Sequence, residues 1–442
     1  MHKQYPIEKI TSPVQRFMLR QKSGGIVLLI SVLLAMFFAN SMWAEHYFHF
    51  FEQKLGFIVN GKPYLEFDIH HWVNDGLMAM FFFVVGLELK REIIAGELSN
   101  PRKAILPIIA AIGGMIVPAI IYLCFNSSGE THQGWGIPMA TDIAFALGAL
   151  YLLGNKVPIS LRVFLAALAI VDDLGAVLVI AFFYTSDISI ASLTIGLGFV
   201  LIMYIANKLG VRSLMFYALV GIIGVWVAFL LSGVHATIAA VLAAFTIPTD
   251  TIFNENTYIK RMMVRLRQFN RIEGTSEPTL KGNQVNVLEK IKADTNAALP
   301  PSQRFEYSMG PIVTFIVLPI FALANAGVSL KGINFDILSS TNVALGVFLG
   351  LLIGKVVGVV GASMLFVKLK IAVMPNGMNF KRLLGLGFLA SIGFTMSLFI
   401  TSLAFTDTVY QVQAKIGIFS ASIVGGIIGY IILLRVGRQV RS

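Results

Sequence analysis

The sequence predicts an all-α integral membrane protein with twelve transmembrane helices, and three observations support this prediction. Hydrophobic residues make up 56% of the 442 residues, whereas charged residues make up only 13%. A water-soluble domain of this size needs a more polar surface, so the composition indicates surroundings that are mostly lipid. Apolar stretches of about 20 residues recur along the chain, and basic residues concentrate in alternate connections between them.

Twelve apolar segments are candidates for transmembrane helices, and the seventh and eighth are the shortest. They lie at residues 24–43, 70–89, 104–125, 134–154, 159–184, 189–207, 214–231, 233–247, 304–328, 343–367, 383–405 and 414–434. We interpret the first as a span and residues 1–23 as a cytoplasmic N-terminus, because no small-residue cleavage site of a signal peptide follows. An even number of spans then returns the C-terminus to the cytoplasm. We treat residues 1–442 as one transmembrane domain.

The lysine and arginine residues support this orientation. In this topology, 29 of the 34 fall in cytoplasmic segments. The exceptions are Lys54, Lys62, Lys331 and Lys415 on the outer side and Lys355 inside a span. This asymmetry follows the positive-inside rule. It accounts for the net charge of +11 without a nucleic-acid partner.

Cysteine usage restricts the chemistry further. Cys124 is the only cysteine, which excludes intrachain disulfides and cysteine-based metal clusters. We expect no cofactor, and we expect membrane lipid to be the main surroundings of the chain.

Residues 44–69 form an unusual connection on the predicted outer face. Two β-prone runs flank Asn60-Gly61, a pair that permits the positive φ angles of a type I′ turn, so we predict a β-hairpin. An isolated hairpin is marginally stable in water. Either a partner, such as a second subunit, pairs with it, or it forms a self-contained flap.

Residues 249–303 form the longest polar segment. The stretch KRMMVRLRQF within it predicts some helix in a cytoplasmic loop. Its basic and apolar residues are compatible with contact to anionic lipid, and a solvated connector or a regulatory element are the alternatives.

Few ionisable residues fall within the apolar segments. Asp142, Asp172, Asp173 and Lys355 lie deep, and Asp75, Glu88 and His235 lie nearer the ends. A charge at the bilayer centre costs roughly 2.5–3.5 kcal/mol even on the mildest scale, and such residues usually face a cavity or a partner.

Asp172 and Asp173 are adjacent in ALAIVDDLGAVLVIAFFY, with no basic residue within nine positions on either side. Successive helical residues point about 100° apart. One acid can therefore line a cavity while the other faces a neighbouring helix, and Lys355 is the only deep cation available as its partner. Carboxylates bind hard cations, and adjacent acids titrate as a pair. Competition between a cation and protons at such a site is sufficient to couple their movements.

Two of the apolar segments contain residues that interrupt helices. The fourth contains Pro138 before Thr141-Asp142, and the eleventh contains Gly385, Gly387 and Gly393. Interrupted segments in corresponding positions of two halves with opposite orientation indicate an inverted repeat around an ion site. Ordinary glycine-mediated helix packing is the alternative.

Several motifs in order resemble one known family. ALAIVDDLGA, ATDIAFALG, FFFVVGLELKRE, SGVHAT, LPIFALANAGVSL, LLIGK and IGFTMSLFI are together similar to the bacterial NhaA-type sodium/proton antiporters. The resemblance covers nearly all of residues 24–247 and 304–437. This family is itself an established example of inverted-topology repeats, so the repeat and the two broken, crossing helices are implied by the resemblance.

The resemblance implies roles for the deep residues. Asp173 matches the principal ligand of the transported Na⁺ and of protons, and Asp172 matches its partner, which exchanges with the Lys355 position. Asp142 and Thr141 match the extended chain where the fourth helix is broken.

The resemblance also implies roles near the ends of the helices. Glu88 matches an acid at a cytoplasmic funnel, and Glu306 and His235 fall where the family has pH-response residues. The Asn60-Gly61 hairpin matches a dimerisation element.

The sequence departs from the family in one region. Residues 249–303 are much longer than the short loop of the best-known members. Just after them, Tyr307 and Gly310 stand where histidines occur in the family. We therefore still expect transport, but the pH range in which the protein is active can differ from that of the family.

The resemblance implies an electrogenic, pH-regulated antiporter of the bacterial inner membrane that exchanges cytoplasmic Na⁺ or Li⁺ for protons, and not an enzyme. Another proton-coupled cation transporter or a cation channel could use the same acids. An enzyme of the DDxxD type needs a third acid, but that position is Ala176. A passive structural membrane protein would have little reason to keep four deep charges.

Overall fold

The computed structural model describes residues 23–59, 62–185, 188–272, 279–329 and 342–438. These residues are mostly helical, as the sequence predicts, and they include one two-stranded sheet. The predicted turn at Asn60-Gly61, the basic N-terminus and Lys331 lie outside the described residues.

The first half of the chain contains nine labelled helices and both strands. In chain order they are α1 (Ser23–Asn40), α2 (Ala44–Glu52), β1 (Lys54–Val59), β2 (Lys62–Asp68), α3 (Met78–Ala95), α4 (Pro101–Phe125), α5 (Ile143–Leu152), α6 (Ile159–Phe183), α7 (Ile190–Lys208), α8 (Leu214–Leu230) and α9 (Ala236–Thr246). A short turn, Ile69–His71, and a π-helical stretch, Trp72–Leu77, lead into α3, and a 3₁₀-helix, Glu130–Met139, precedes α5.

The second half begins with two helices in the polar segment. In chain order its helices are α10 (Glu255–Asn270), α11 (Gly282–Ala298), α12 (Pro301–Asn325), α13 (Val343–Lys368), α14 (Phe380–Ala390), α15 (Phe394–Ala404) and α16 (Thr408–Arg438). Within α13, a π-helical stretch, Gly350–Gly354, immediately precedes Lys355.

Among the described residues, eight helical segments are long and apolar enough to cross a membrane. The count is nine if α14 and α15, which meet at an angle of 45°, form one broken span. The remaining predicted spans correspond to α3, α8 and α9, which are shorter or carry more charge. The total of twelve spans therefore stays a prediction.

The hairpin prediction is confirmed for its two strands. β1 and β2 pair antiparallel, with Lys54 opposite Asp68 and Val59 opposite Lys62. A register irregularity follows Leu55. There the two strands approach so closely that a Cβ on Gly56 would lie 2.7 Å from Glu66 Cα. Only glycine fits this close approach without a shift of the strands.

Glycines also bring α4 and α13 into close contact. A Cβ on Gly358 would lie 2.1 Å from the carbonyl oxygen of Gly113, so a larger side chain there would force the two helices apart. Small residues allow helix backbones in a membrane to approach closely. This contact holds Lys355, one turn before Gly358, beside Gly114 in the centre of the bundle.

The polar segment 249–303 contains more helix than the sequence predicts. Helices α10 and α11 pack antiparallel, with the backbone N–H of Ile252 donating to Ala297 O at 3.1 Å. Arg261 and Arg265 of α10 both form ion pairs with Asp294 of α11, at 3.3 and 3.1 Å. We refer to α10 and α11 together as the polar helical hairpin.

Candidate ion-binding site

Two helix interruptions meet in the interior. Residues 140–142 are not helical and separate the 3₁₀-helix from α5, and residues 391–393 separate α14 from α15. The backbone N–H of Asp142 donates to Ile392 O at 2.7 Å, and Thr141 Oγ1 donates to Ala390 O at 2.9 Å. Each interruption thus satisfies backbone groups that the other leaves without a helical partner, as an apolar medium requires. The break predicted from Pro138 is confirmed, two residues after the proline.

Asp142 connects the starts of two helices. Its Oδ1 accepts the backbone N–H of Phe145 in α5 at 3.1 Å. Its Oδ2 accepts the backbone N–H of Thr395 in α15 at 3.0 Å and the Thr395 hydroxyl at 2.5 Å. A carboxylate in this position stabilises the unpaired N–H groups and the positive ends of both helix dipoles. Both oxygens of Asp142 already have donors.

Asp172 of α6 faces Lys355 of α13. Lys355 Nζ donates to Asp172 Oδ2 at 2.6 Å, and both side chains are fully buried. The sequence left open which of the two adjacent acids pairs with the lysine. In the structure that acid is Asp172, and Thr141 lies beside it.

Asp173 has a different environment. It is fully buried, and neither carboxylate oxygen has a hydrogen-bond partner among the described residues. Oδ1 of Asp172 also lacks a partner there. The charged groups acting on Asp173 include Asp142 and Asp172, which are negative, and Lys355, which is positive. Buried acceptors without donors are costly unless a cation or a proton satisfies them. Each of these three orphan oxygens can therefore be satisfied by a small hard cation or by a proton.

Glu88 and Glu306 lie together at one end of α3. Glu306 accepts an ion-paired hydrogen bond from Arg91 Nη1, and Arg91 also lies 3.4 Å from Glu92. Glu88 is half-buried, and its nearest charged neighbours include Glu306 and Arg91.

His235 lies apart from this acid group. Its Nε2 is 2.9 Å from the carbonyl oxygen of Tyr184, and it immediately precedes α9. It lies close enough to Asp75 for an electrostatic interaction, and the carboxylate of Asp75 lies 3.1 Å from His71. The sequence-predicted residues thus form a buried central group, an acidic group at one end of α3, and a separate histidine near the other end.

Sequence reasoning did not predict the contacts of three residues that hold these groups in position. Thr395 binds Asp142 through both its backbone and its side chain. Arg91 joins α3 to α12 through Glu306, and Lys90 donates to the carbonyls of Phe245, at 2.7 Å, and Ile247, at the end of α9. The available signal was the basic pair in GLELKRE, which lies in the last two turns of α3.

A bundle of apolar helices with buried, partly unsatisfied carboxylates beside two interrupted segments defines a class of protein. It is a multi-pass membrane protein with an intramembrane ionisable site, the arrangement of ion-coupled transporters.

Comparison with known proteins assigns the family. The model of the Na⁺/H⁺ antiporter 1 family matches residues 15–433, and the chain belongs to this family. It is 46% identical over 433 residues to Na(+)/H(+) antiporter NhaA 1 of Saccharophagus degradans, covering 98% of this chain and 93% of that protein. It is 45% identical over 438 residues to the NhaA antiporter of Acidithiobacillus ferrooxidans, covering 97% and 98%. The NhaA antiporter of Oleidesulfovibrio alaskensis is 46% identical over 431 residues, covering 97% and 95%.

Proposed function

We propose that the protein is a secondary active antiporter that expels Na⁺, and also Li⁺, from the cytoplasm in exchange for external protons. One observation carries the proposal: Asp173 is fully buried with two carboxylate oxygens that have no donor among the described residues. The relatives named Na⁺/H⁺ antiporters, which match nearly the whole chain, support the same function.

The transport cycle follows from competition at Asp173. In its ionised form, Asp173 provides oxygen ligands for a desolvated Na⁺, and Oδ1 of Asp172 provides another. A proton on Asp173 removes the negative charge that holds the cation, so protonation releases Na⁺. Because the site holds either charge but not both, the downhill entry of protons drives the exit of Na⁺.

The Asp172–Lys355 pair gives the site a second carboxylate, whose positive partner can change from Lys355 to Na⁺. Lys355 Nζ, 2.6 Å from Asp172, neutralises that acid when no cation is bound. An arriving Na⁺ competes with Lys355 for Asp172, and a proton released from either group adds to the exchange. More protons than cations per cycle make the transport electrogenic.

We infer the remaining architecture from the same family assignment. Twelve helices form two inverted-topology repeats, and the interrupted segments around Asp142 and Ile392 are the crossing broken helices. Both termini are cytoplasmic, and the bacterial inner membrane is the location. The β1–β2 hairpin joins two copies in a homodimer. The protein needs no cofactor and is not an enzyme.

The groups near the ends of the helices set the pH response in this proposal. Glu88 and Glu306, both near Arg91, stand where cytoplasmic ions approach, and His235 lies near the other end of α3. Protonation of Glu88 and Glu306 at low pH changes the charge that an arriving Na⁺ meets. Transport is therefore expected to be inhibited at acidic pH.

Sodium-driven proton flux in everted vesicles tests the function. We expect addition of Na⁺ to release protons from acid-loaded vesicles that contain the wild-type protein and not from vesicles with Asp173→Asn. Asp407→Asn is the matched control, because Asp407 is exposed and asparagine retains its hydrogen bond to the backbone N–H of Val409. Near-normal exchange in Asp173→Asn would remove Asp173 from the site.

A cation channel and a different proton-coupled transporter are the alternatives. A channel would carry Na⁺ down its gradient without moving protons, and a symporter would move both ions in the same direction. Purified protein in vesicles with a pH dye inside distinguishes these cases, because only antiport alkalises acidic vesicles when external Na⁺ is added.

A further inference from the structure

Helix α10 in the polar helical hairpin exposes an apolar stripe. Ile259, Met263 and Leu266 are 41%, 54% and 56% exposed. Their spacing of four and three residues places them on one face of the helix. The opposite part of α10 packs on α11 through Tyr258 and Arg265. The stripe therefore has no partner among the described residues.

Basic side chains border this apolar stripe. Lys260, Arg267 and Arg271 are exposed and lie next to it along the helix. None of the three forms an ion pair with a described carboxylate, whereas Arg261 and Arg265 are paired with Asp294. The outward face of α10 thus combines apolar residues with unneutralised positive charge, the combination that binds anionic lipid surfaces.

The base of the hairpin lies at the ends of two apolar helices. It starts nine residues after α9 ends and finishes three residues before α12 begins. The backbone N–H of Ser302 donates to Pro248 O at 3.1 Å, and Arg212 forms an ion pair with Asp250. These contacts hold the base of the hairpin at the ends of two apolar helices, where the bilayer surface begins.

We propose that the face formed by Ile259, Met263, Leu266, Lys260 and Arg267 docks on the anionic headgroups of the membrane leaflet where α9 ends. A hairpin projecting into water would leave the apolar stripe solvated, which is unfavourable. A second copy of the chain presenting the same face would bring like charges together. The docking does not depend on antiport, and it assigns an interfacial role to the longest polar segment of the sequence.

The depth of two labelled positions tests the proposal. In full-length protein with Cys124→Ser, a nitroxide is attached at Met263→Cys or, as a matched control, at Gln268→Cys. Gln268 is also exposed but lies about 140° around the helix from Met263. In vesicles containing phosphatidylglycerol, we expect the label at 263 to collide mainly with oxygen, which concentrates in lipid. The label at 268 should collide mainly with a water-soluble nickel complex.

Removing charge from the lipid or from the helix gives an independent measure. Each basic residue removed near an anionic surface is expected to weaken docking about fivefold, so Lys260→Gln with Arg267→Gln should release the label at 263 to water. In neutral phosphatidylcholine vesicles, the label at 263 should also be released to water, even when Lys260 and Arg267 are present. Equal aqueous exposure of the two positions in anionic vesicles would overturn the proposal. Burial of position 263 that persists in detergent and rises with protein concentration would also overturn it, in favour of a second copy.

Discussion

Lys355 Nζ lies 2.6 Å from Asp172 Oδ2 in the interior of the helix bundle, with both side chains fully buried. The next residue, Asp173, has no such partner among the described residues. Two adjacent acids therefore differ in kind, because one is neutralised by the protein and the other is available to a cation or a proton. This difference predicts separate effects of substitutions on stability and on transport.

Lys355→Met should destabilise the fold strongly. Removing one member of a buried ion pair leaves the other charge uncompensated, which costs about 3–5 kcal/mol. The expected result is a lower unfolding temperature in detergent. Lys368→Met, an exposed lysine on the same helix, is the control and should have little effect.

The double variant Lys355→Met with Asp172→Asn tests the cause of this loss. It removes both charges, so most of the stability lost in Lys355→Met should return. If the double variant is as unstable as the single variant, packing of the lysine stem and not its charge is the reason.

Thr395→Val should weaken the contact between the two helix interruptions. The substitution removes the hydroxyl that donates to Asp142 Oδ2, while the backbone donor of Thr395 remains. A lost hydrogen bond to a charged group costs about 1.5–3 kcal/mol. Thermal unfolding, compared with Thr401→Val, measures the effect. Thr401 is equally buried but bonds only Ser397 O in its own helix, so similar losses in the two variants would contradict the prediction.

The sequence predicts the local features of this site better than its contacts. Adjacent acids in an apolar run indicate a functional group, and Pro138 predicts a break near Asp142, because these signals depend on neighbours in the chain. The partner of Lys355 lies 183 positions away, and Thr395 lies 253 positions from Asp142. Such pairings depend on how helices pack.

The sequence only weakly indicates where helices pack closely enough to form these contacts. The crossing of α4 and α13 at Gly113 and Gly358 brings Lys355 to Asp172, but forty glycines occur in the chain. Likewise, the polar composition of residues 249–303 indicates exposure to water. It does not reveal that Asp294 pairs with two arginines and holds two helices together.

Arg91→Gln should move the pH profile of transport to higher pH. Arg91 is the cation of a group that includes Glu306, Glu92 and Glu88. Without it, Glu88 and Glu306 bind protons more readily, so a higher pH is needed to ionise them. The Arg91 side chain is 37% exposed, which limits the interaction to about 1 kcal/mol and the shift to about 0.7 pH unit. Sodium-driven proton flux measured from pH 5 to 9 gives the half-activation point.

Two further variants show whether the charge itself sets this pH response. Lys103→Gln removes a cation from the exposed pair with Glu97, at 3.8 Å, and should leave the profile unchanged. Exchanging the charges, with Arg91→Glu and Glu306→Arg, should restore part of the shift. An unchanged half-activation pH in Arg91→Gln would exclude this group from pH regulation.

The β1–β2 hairpin should be required for the proposed dimer. A two-stranded sheet has unpaired edges and is marginally stable alone, and Leu55 within it is 55% exposed. Because the backbone N–H of Ile69 donates to Gln53 O, a short Gly-Ser linker can replace the strands without moving the flanking helices. Native mass spectrometry should detect mainly monomer for this variant. Trp72→Phe, which loses the indole hydrogen bond to Leu55 O but keeps an aromatic ring and both strands, should remain dimeric. A dimer of unchanged abundance after hairpin removal would place the interface elsewhere.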